Sequence, residues 1–597
     1  MDVPCTTIIK HSLVRHETSQ GHTEAKARFD SAKAAERTGG IAQAMKKQVN
    51  LERSAFLAAL RAMYWLTTNE IPHTTNFSSL LDMMRGLGLS YLSHLNKAGN
   101  AHYTSEEIMQ EMVQVLSDEP RQHIFNSMRK SRYFSLLIDE TTDIAVAKQL
   151  IIYGRYLTET HEVRTSFLAI QDIADGQAIT IVAAIKAFLS SADLDINKMA
   201  GFGSDGAAVM VGRRNGVAAK LRGDNQKLVN IHCIAHRLAL ASAQAADGIT
   251  YLMKFKDLIG QLYRFYEFSP VRTAGLKNIQ DVLNSRVKLV QAKDVRWLSH
   301  NQAVIALKRT YAAVVTSLEH EATERNEATA RGLATFLTTF QFTATLLMLC
   351  DILPLLSKLS RLFQRTEVDF THIDANVTAT IEALRTLKST PGSNFRDLDQ
   401  FLKDSSTVAN IRYSHAQMDQ FMKSIYLPFL DNIIKNLQER FPDVMLLSAF
   451  NIFNPIEADM DQQHNLQLLC EHYTTEVAGL EEVEKEYSVL TTLLESQYNA
   501  LTTTQVLQTV QKVHGDTMPN LAKLAAAMAV LPVSTADCER GFSSMKRVKT
   551  SLRNRMKEST LNNLLMISME GPPAEEFNFH AACDSWAGMA RRRLNVI

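Results

Sequence analysis

The sequence predicts an α/β fold in which a mixed five-stranded sheet is interrupted by a long all-helical segment and preceded by a helical region. Three β-rich runs follow one another closely from Phe134, as FSLLID, QLIIYGRYL and EVRTSFLAIQDI, and this spacing is typical of antiparallel pairing. Two further runs, MAGFGSD and LVNIHCIAH, alternate with helix-compatible stretches, which indicates parallel pairing through crossover helices. The long segment that follows has helical periodicity and contains no comparable β run.

The composition is that of a folded protein. The 597 residues are enough for several domains, and 46% of them are hydrophobic and 21% charged, which favours a helix-rich protein without long disorder. No stretch approaches the ~20 uninterrupted apolar residues that a membrane span needs, and the start lacks the apolar core of a secretory signal. Six scattered cysteines predict free thiols in a reducing compartment. We therefore expect an intracellular protein without membrane contact.

The order of these patterns predicts five regions. Residues 1–50 are polar and basic and form an arm, and residues 51–130 form a helical domain. Residues 131–240 carry the first part of the sheet domain, residues 241–530 an all-α insertion, and residues 531–597 the last part. Three strands in a meander followed by two strands joined through helices is the order of an RNase H-like sheet, so we predict an RNase H-like core.

Three carboxylates are candidates for a metal site. Asp139 follows the apolar run Phe134–Ile138, and Asp205 follows MAGFGS, so both are expected at strand ends. Glu539 lies in the first turns of a predicted helix whose start resembles a capping signal. Mg²⁺ prefers oxygen ligands of this kind. An acidic residue at such a position is also an ordinary turn former or helix-dipole partner, so spacing alone leaves both interpretations open.

Five motifs resemble those of hAT transposases in their order and approximate spacing. They are LLIDETTD (136–143), GFGSDGAAVMVGRRNGV (201–217), NIHCIAHRLAL (230–240), DVRWLS (294–299) and TADCERGFSSMKRVKTSLRNRM (535–556). The resemblance implies that Asp139, Asp205 and Glu539 are the catalytic Asp, Asp and Glu, which bind Mg²⁺ or Mn²⁺. It further implies metal-dependent cleavage and strand transfer of DNA in the nucleus.

The same resemblance identifies two further pairs. Arg296 and Trp297 lie in the insertion, and the family assigns the Trp to stacking against a flipped base, although Trp297 is equally suited to a core position. Cys233 and His236 are spaced as C-x-x-H. They form one half of a zinc-type pair, so packing or substrate positioning is favoured over metal binding.

A basic stretch follows Glu539 without an acidic residue up to Lys557. Beside a metal site it would hold phosphates and make binding strongly salt-dependent, whereas a solvated helix face would show the same pattern. Arg213 and Arg214 extend this candidate nucleic-acid surface. The residues of the stretch that we assign to it are Arg540, Lys546, Arg547, Lys549, Arg553 and Arg555.

Both ends of the chain bear on recognition and assembly. The segment SLVRHETSQGHTEA resembles the last part of a BED-type zinc finger, with His16 and His22 as the paired ligands, but only Cys5 lies upstream. Three ligands make a poor structural zinc site, so bound Zn²⁺ is doubtful. ESTLNNLLMIS (558–568) resembles the family's C-terminal dimerisation region, which implies a homodimer or a higher homo-oligomer, although packing within one chain would give the same apolar pattern.

Three functions remain in competition. The first is a hAT-type DNA transposase, favoured by the three carboxylates with Arg296 and Trp297. The second is a domesticated, non-catalytic nuclear protein that keeps the fold for dimerisation and for binding nucleic acid or chromatin, favoured by the incomplete finger. The third, an RNase H-like nuclease acting on other nucleic acids, leaves the insertion and the C-terminal region unexplained.

Overall fold

The computed structural model describes residues 10–38, 41–96, 103–144, 146–292, 300–364, 371–405, 410–441, 445–455, 462–590 and 594. The chain divides into two compact units. Unit 1 comprises Met1–Ile124 and Ser543–Ile597, and unit 2 comprises Phe125–Phe542. The N-terminal helices and the C-terminal helices therefore belong to the same unit, although more than 400 residues separate them in sequence.

Unit 2 contains a five-stranded sheet with the strand order β3-β2-β1-β4-β5. The first three strands pair antiparallel, β1 pairs parallel with β4, and β4 pairs parallel with β5. This confirms the predicted mixed sheet, with its three-stranded meander and its two parallel strands. The strands are β1 (Phe134–Thr142), β2 (Lys148–Leu157), β3 (Val163–Asp172), β4 (Met199–Ser204) and β5 (Val229–His232).

Helices make up most of the rest of the described chain, and between residues 241 and 530 the described ranges contain helices and no strand. In chain order the α-helices are α1 (Lys10–Glu17), α2 (Gln20–Thr38), α3 (Ile41–Thr68), α4 (His73–Gly86), α5 (Glu106–Lys130), α6 (Ala178–Ser191), α7 (Ala208–Val211), α8 (Val217–Asp224), α9 (Ile234–Gln244), α10 (Thr250–Glu267), α11 (Pro270–Val282), α12 (His300–Glu324), α13 (Ala328–Leu337), α14 (Phe340–Phe363), α15 (Thr371–Ser389), α16 (Ser393–Arg396), α17 (Leu398–Asp404), α18 (His415–Phe421), α19 (Leu427–Arg440), α20 (Met445–Ser448), α21 (Gln462–His472), α22 (Leu480–Ser496), α23 (Thr503–Val513), α24 (Pro519–Val530), α25 (Ala536–Val548), α26 (Glu558–Glu570) and α27 (Phe579–Met589). Short 3-10 turns cover Ser90–Leu95, Ile196–Lys198, Ala449–Phe453 and Ser551–Arg553, and a π-helical turn covers Met422–Tyr426.

The strands form because their side chains are buried on both faces of the sheet. All of β4 is buried, and β1 is buried from Phe134 to Ile138 before its exposure rises at Asp139. Strands that are covered on both faces read as nearly continuous apolar runs. Near the ends of β1 and β4 the acidic residues therefore follow fully buried stretches of strand.

The helical part of unit 2 has its own large core, in which α14 is central. Among the described helices, α14 is long and apolar enough to cross a membrane by length and composition, but 72% of its most apolar window lies buried inside the fold. Its one acidic residue, Asp351, accepts hydrogen bonds from the backbone N–H groups of Asn394 and Phe395 at 3.1 and 2.9 Å. The Asp351 carboxylate is therefore hydrogen-bonded inside the fold.

Unit 1 joins the two ends of the chain through α3, α5, α26 and α27. Trp586 on α27 is fully buried, and its ring stacks on Phe56 of α3 with the ring centroids 3.8 Å apart. The indole N–H of Trp586 donates to the carboxylate of Glu111 at 2.9 Å. This contact satisfies the polar edge of a large aromatic group that supplies much of the apolar packing.

Candidate functional site

Asp139 and Asp205 belong to neighbouring elements of the sheet. Leu137 of β1 is in register with Gly203 of β4, and the strands are parallel. The pairing of the two strands ends there, and Asp139 lies two residues further along β1, where the burial of the strand decreases. Asp205 is the first residue after β4. Both residues therefore lie at the same end of the sheet.

Asp139 belongs to the face of the sheet that carries Pro532. A Cβ atom on Gly203 would lie 3.0 Å from Pro532 and 3.7 Å from Leu137 Cγ, so this face is closely covered. Asp139 follows Leu137 by two positions in β1 and shares its face, whereas Asp205 lies just beyond the end of β4. A side chain at Gly203 would force Pro532 outward.

Helix α25, which carries Glu539, lies on that same face. A Cβ atom on Gly541 would overlap Ile151 Cδ1 and would lie 2.6 Å from the hydroxyl of Tyr153. Ile151 is the cross-strand partner of Asp139 in the antiparallel β1–β2 pair, and directly opposed residues share a face. The absence of a side chain at Gly541 thus allows the first turns of α25 to approach the sheet directly beside Asp139.

The loop before α25 is anchored by Cys233. The thiol sulfur of Cys233 accepts a hydrogen bond from the backbone N–H of Thr535 at 3.2 Å and lies 3.7 Å from the hydroxyl of Ser534. The backbone N–H of Cys233 donates to the carbonyl of Ser204 at 2.9 Å. This buried residue therefore ties the end of β4 to the start of the helix that carries Glu539.

The second member of the C-x-x-H pair, His236, lies one turn into α9. Its ring is 5.7 Å from that of His232, measured between centroids. The ring of His232 covers Gly206, where a Cβ atom would overlap it. Burial, assisted by the charge of Arg237, lowers the pKa of His232 to about 3. The ring is therefore neutral at physiological pH, and its packing supports the turn that follows Asp205.

Five carboxylates surround these element ends, and we call them the acidic rim: Asp139, Glu140, Asp205, Asp537 and Glu539. Glu539 is exposed, and the other four are partly buried. Sequence reasoning missed Glu140 and Asp537, although the Asp-Glu pair at the end of β1 and the Asp-x-Glu spacing at the start of α25 were visible signals.

The buried thiol of Cys538 lies within reach of the charges of three members of the acidic rim. Burial raises the pKa of this thiol well above its usual value, and the charges of Asp139, Asp537 and Glu539 raise it further. Burial also raises the pKa of Glu140; the charge of Lys148 lowers this pKa and the charge of Asp205 raises it. Arg540 forms an ion pair with Asp537. Asp139 on β1 and the two carboxylates at the start of α25 therefore act on the same buried group.

The side chains of the acidic rim are not arranged as a metal site in this structure. In the described ranges, no group of three or more His, Cys, Asp or Glu side chains lies close enough to hold a metal ion. Asp139 Oδ1 accepts from the backbone N–H of Glu140 at 2.8 Å, and Asp205 Oδ1 accepts from that of Ala207 at 3.2 Å. The oxygen donors suit a hard divalent cation in type, while their convergence on one remains a prediction.

The predicted nucleic-acid-binding residues fall into three groups. Arg540 and Arg547 form ion pairs with Asp537 and Glu70, and Lys549 is buried. Lys546 and Arg555 are exposed, and Arg553 is partly buried. Arg213 and Arg214 are exposed in the turn between α7 and α8. The basic stretch is therefore not a uniform solvated helix face, because α25 ends at Val548 and the remaining cations lie beyond it.

Some of the predicted residues lie outside the described part of the chain. Arg296 and Trp297 lie within residues 293–299, outside the described residues, as does Cys5. The partner ligands of the predicted finger, His16 and His22, are described. His22 Nδ1 lies 3.2 Å from His16 Nε2, across the turn between α1 and α2. The pair is thus brought together as a finger would require, and Zn²⁺ binding there stays an untested prediction.

The predicted dimerisation segment forms α26. Its apolar residues, including Leu561, Leu564 and Leu565, are buried within the chain, and α26 packs against α3. Intrachain packing therefore accounts for the apolar pattern of this segment.

Two family models match parts of this chain. The family model described as the hAT family C-terminal dimerisation region matches residues 490–570, which include Glu539. The model described as the ZMYM1/FAM200 RNase-like domain matches residues 13–216, which include Asp139 and Asp205. The chain is therefore related to the hAT family, which confirms the resemblance seen in its motifs.

Two curated relatives extend over most of the chain. The human protein named 52 kDa repressor of the inhibitor of the protein kinase is 20% identical over 547 residues, which is 83% of this chain and 69% of the relative. The mouse protein of the same name is 20% identical over 548 residues, which is 83% of this chain and 70% of the relative. Each similarity thus covers more than two thirds of the relative's own length.

Proposed function

We propose that the chain is a hAT-type DNA transposase that cleaves DNA and transfers its strands through Asp139, Asp205 and Glu539. The observation that supports the proposal is that the three residues belong to neighbouring elements of one sheet domain. Asp139 lies on β1, Asp205 directly follows the adjacent parallel strand β4, and Gly541 lets the helix that bears Glu539 approach Ile151, the cross-strand partner of Asp139.

The chemistry of the donors fits a divalent metal. Carboxylate oxygens are the ligands that Mg²⁺ and Mn²⁺ favour. Like charges that lie close together repel one another, and a bound cation would remove that repulsion. A bound metal pair would supply an activated attacking oxygen and a stabilised leaving oxygen in phosphodiester chemistry. Asp139, Asp205 and Glu539 would hold it.

The chain's own residues have the task of keeping these donors in place. Cys233 fixes the N-terminal end of α25 through the backbone of Thr535, and the Ile151–Tyr153 surface receives Gly541. The first contact involves Cys233, which is hydrogen-bonded to the end of β4, and the second involves β2; both strands are largely buried. Rigid support of this kind is what a site needs in order to hold its ligands within a fraction of an ångström.

A second function is favoured by the curated relatives. They are named as a repressor, so a non-catalytic nuclear regulator that uses the same fold to bind nucleic acid is the competing proposal. The burial of α26 within its own chain removes the apolar pattern of that helix as an argument for dimerisation in either case. A homodimer is proposed here on the family match alone.

The deciding experiment is Mg²⁺- or Mn²⁺-dependent cleavage and strand transfer on DNA that carries the gene's own flanking ends. Glu539→Gln is compared with the natural chain and with Glu495→Gln, a matched change at an exposed position of α22. Loss of activity in Glu539→Gln alone supports the transposase. A folded natural chain that binds DNA in a salt-sensitive way but does not cut it favours the regulator.

A further inference from the structure

Unit 1 contains a cleft of about 560 Å³ that is built from the starts of three helices. His73 and Thr74 begin α4, Glu106 and Gln110 lie in the first turns of α5, and Ser559 and Thr560 lie in the first turn of α26. The segment from Leu552 to Lys557 completes the wall. We call this the basic cleft. The hydroxyl of Thr560 donates to Gln110 Oε1 at 2.8 Å and joins two of its walls.

His73 is the unexplained group of the basic cleft. It is 1% exposed, and neither ring nitrogen has a hydrogen-bond partner among the described residues. A buried polar group without a partner loses its hydration without compensation. His73 is one of the residues that line the cleft, so its unpartnered ring belongs to the cleft wall.

The charges around His73 specify the sign of that ligand. Arg553, Arg555 and Lys557 line the cleft, and Glu106 is the one acidic residue among its lining residues. Burial lowers the pKa of the Arg553 guanidinium, as expected for a cation held out of water without a countercharge. The lining thus has a net positive charge and calls for an anion.

The backbone contributes in the same direction. Helix α26 has 13 residues, and its N-cap residue, Lys557, makes no side-chain capping hydrogen bond. The first N–H groups of a helix lack partners within the helix and carry the positive end of its dipole. Anions bind readily at such a position when a cavity gives access to it.

We infer that the basic cleft binds a backbone phosphate of DNA through His73, Arg553, Arg555 and the start of α26. The choice of DNA as the source of the phosphate rests on the proposed function. The site itself rests on the unpartnered ring, the cations and the helix start. It also gives a reason why the basic stretch continues past the end of α25, since Arg553, Arg555 and Lys557 are the members that line the cleft.

The anion site is tested first without DNA. Hydrogen–deuterium exchange of the full chain is compared in sodium phosphate and in sodium chloride at equal ionic strength. We expect phosphate to slow exchange in peptides that cover residues 73–77 and 552–561. Equal exchange in the two salts at both segments overturns the site.

The source of the phosphate is tested with DNA binding. Fluorescence anisotropy of a labelled duplex is measured over a range of salt concentrations for Arg555→Gln, an exposed change that leaves the core intact, and for Arg412→Gln, an exposed control in unit 2. Loss of one phosphate contact lowers the slope of log affinity against log salt by about 0.9. We expect this decrease for Arg555→Gln and no change for Arg412→Gln.

The two arms keep this inference separate from the proposed catalysis. Phosphate protection with an unchanged slope in Arg555→Gln overturns DNA as the ligand. Phosphate protection with the lowered slope supports the inference even when the chain cuts no DNA, and that result contradicts only the proposed transposase activity. Arg553→Gln, at a partly buried position, provides a second variant with the same expected decrease.

Discussion

The acidic rim of unit 2 and the basic cleft of unit 1 are built in opposite ways. Carboxylates stand at the rim where two parallel strands end, and the apolar sheet behind them sets their positions. Cations and a buried histidine line the cleft where helices begin, and the helix starts themselves add to the positive field. Each region concentrates one sign of charge, so each is suited to a ligand of the opposite sign.

For the proposed transposase, this difference would meet two separate chemical requirements. Metal-assisted cleavage requires clustered oxygen ligands, whereas holding a DNA backbone requires cations and N–H donors. The two sets would neutralise each other if they were mixed, as Arg540 and Asp537 do at the start of α25. Placing them on separate scaffolds keeps both fields available, and the predictions below test that separation.

The largest expected effect comes from removing the scaffold of the basic cleft. Trp586→Ala deletes a fully buried ring that stacks on Phe56 and bonds Glu111. We expect the free energy of unfolding of unit 1 to fall by about 3–5 kcal/mol. Denaturant unfolding measures the decrease in the free energy of unfolding, and hydrogen exchange shows which segments are affected. We expect faster exchange at residues 552–561 and unchanged exchange in β1.

Trp65→Ala is the matched control for this change. Trp65 lies in the same unit but is 51% exposed, so its removal should alter stability by no more than about 0.5 kcal/mol. Equal acceleration of exchange in β1 and at residues 552–561 after Trp586→Ala would show that the two regions share one cooperative fold, against the separation drawn above.

The second prediction uses pH and concerns His73. Burial, together with the charge of Arg553, lowers the pKa of His73 to about 4 from its usual 6.5. Between these values an unfolded chain takes up a proton that the folded chain does not, so stability is full above pH 6.5 and falls as the pH drops towards 4. The slope is at most about 1.4 kcal/mol per pH unit.

The measurement is the difference in unfolding free energy between the natural chain and His73→Leu, in a buffer without phosphate. The difference isolates His73 from the carboxylates that titrate over the same range. Its pH dependence should flatten when phosphate is added to the natural chain, because a bound anion favours the protonated ring. A natural chain and a variant with parallel pH profiles would contradict the assignment of a neutral, unpartnered ring.

How far the sequence predicts these two regions differs for a physical reason. Strand ends are local features, so the apolar run Phe134–Ile138 was enough to place Asp139, and the order of the runs was enough to predict the sheet. The basic cleft depends on His73 and Arg553, which are 480 positions apart and meet only through the packing of α26 on α3. No local pattern carries that information.

The same limit applies to the details of the rim. Glu539 was found by its motif, but its seating on the sheet depends on Gly541 against Ile151 and Tyr153, a contact between residues that are almost 400 positions apart. The contact of Cys233 with the backbone of Thr535 likewise joins residues about 300 positions apart. Residue types were predictable here, whereas the contacts that orient them were not.

The third prediction breaks the rim at its glycine. Gly541→Ala adds a methyl group that overlaps Ile151 and approaches Tyr153, so α25 must move away from the sheet. We expect a loss of about 1–3 kcal/mol in the stability of unit 2, as for other overpacked sites. Gly332→Ala, in the open middle of α13, should instead stabilise by about 0.5–1 kcal/mol. Thermal unfolding gives the stability of both variants. Equal changes in stability would mean that Gly541 does not allow the close approach of α25 to the sheet.

The smallest expected effect comes from Arg547→Gln, a change at a cation of the basic stretch that is not among the residues lining the basic cleft. Arg547 is already engaged, because its guanidinium donates to both carboxylate oxygens of Glu70. Such an ion pair at the surface contributes only about 0–1 kcal/mol to stability. Arg547→Gln should therefore cost little stability and should leave the salt slope of DNA binding nearly unchanged, in contrast to Arg555→Gln. A slope that falls equally in both variants would show that DNA is held by the whole basic stretch as one charged surface, and not by the cations that line the cleft.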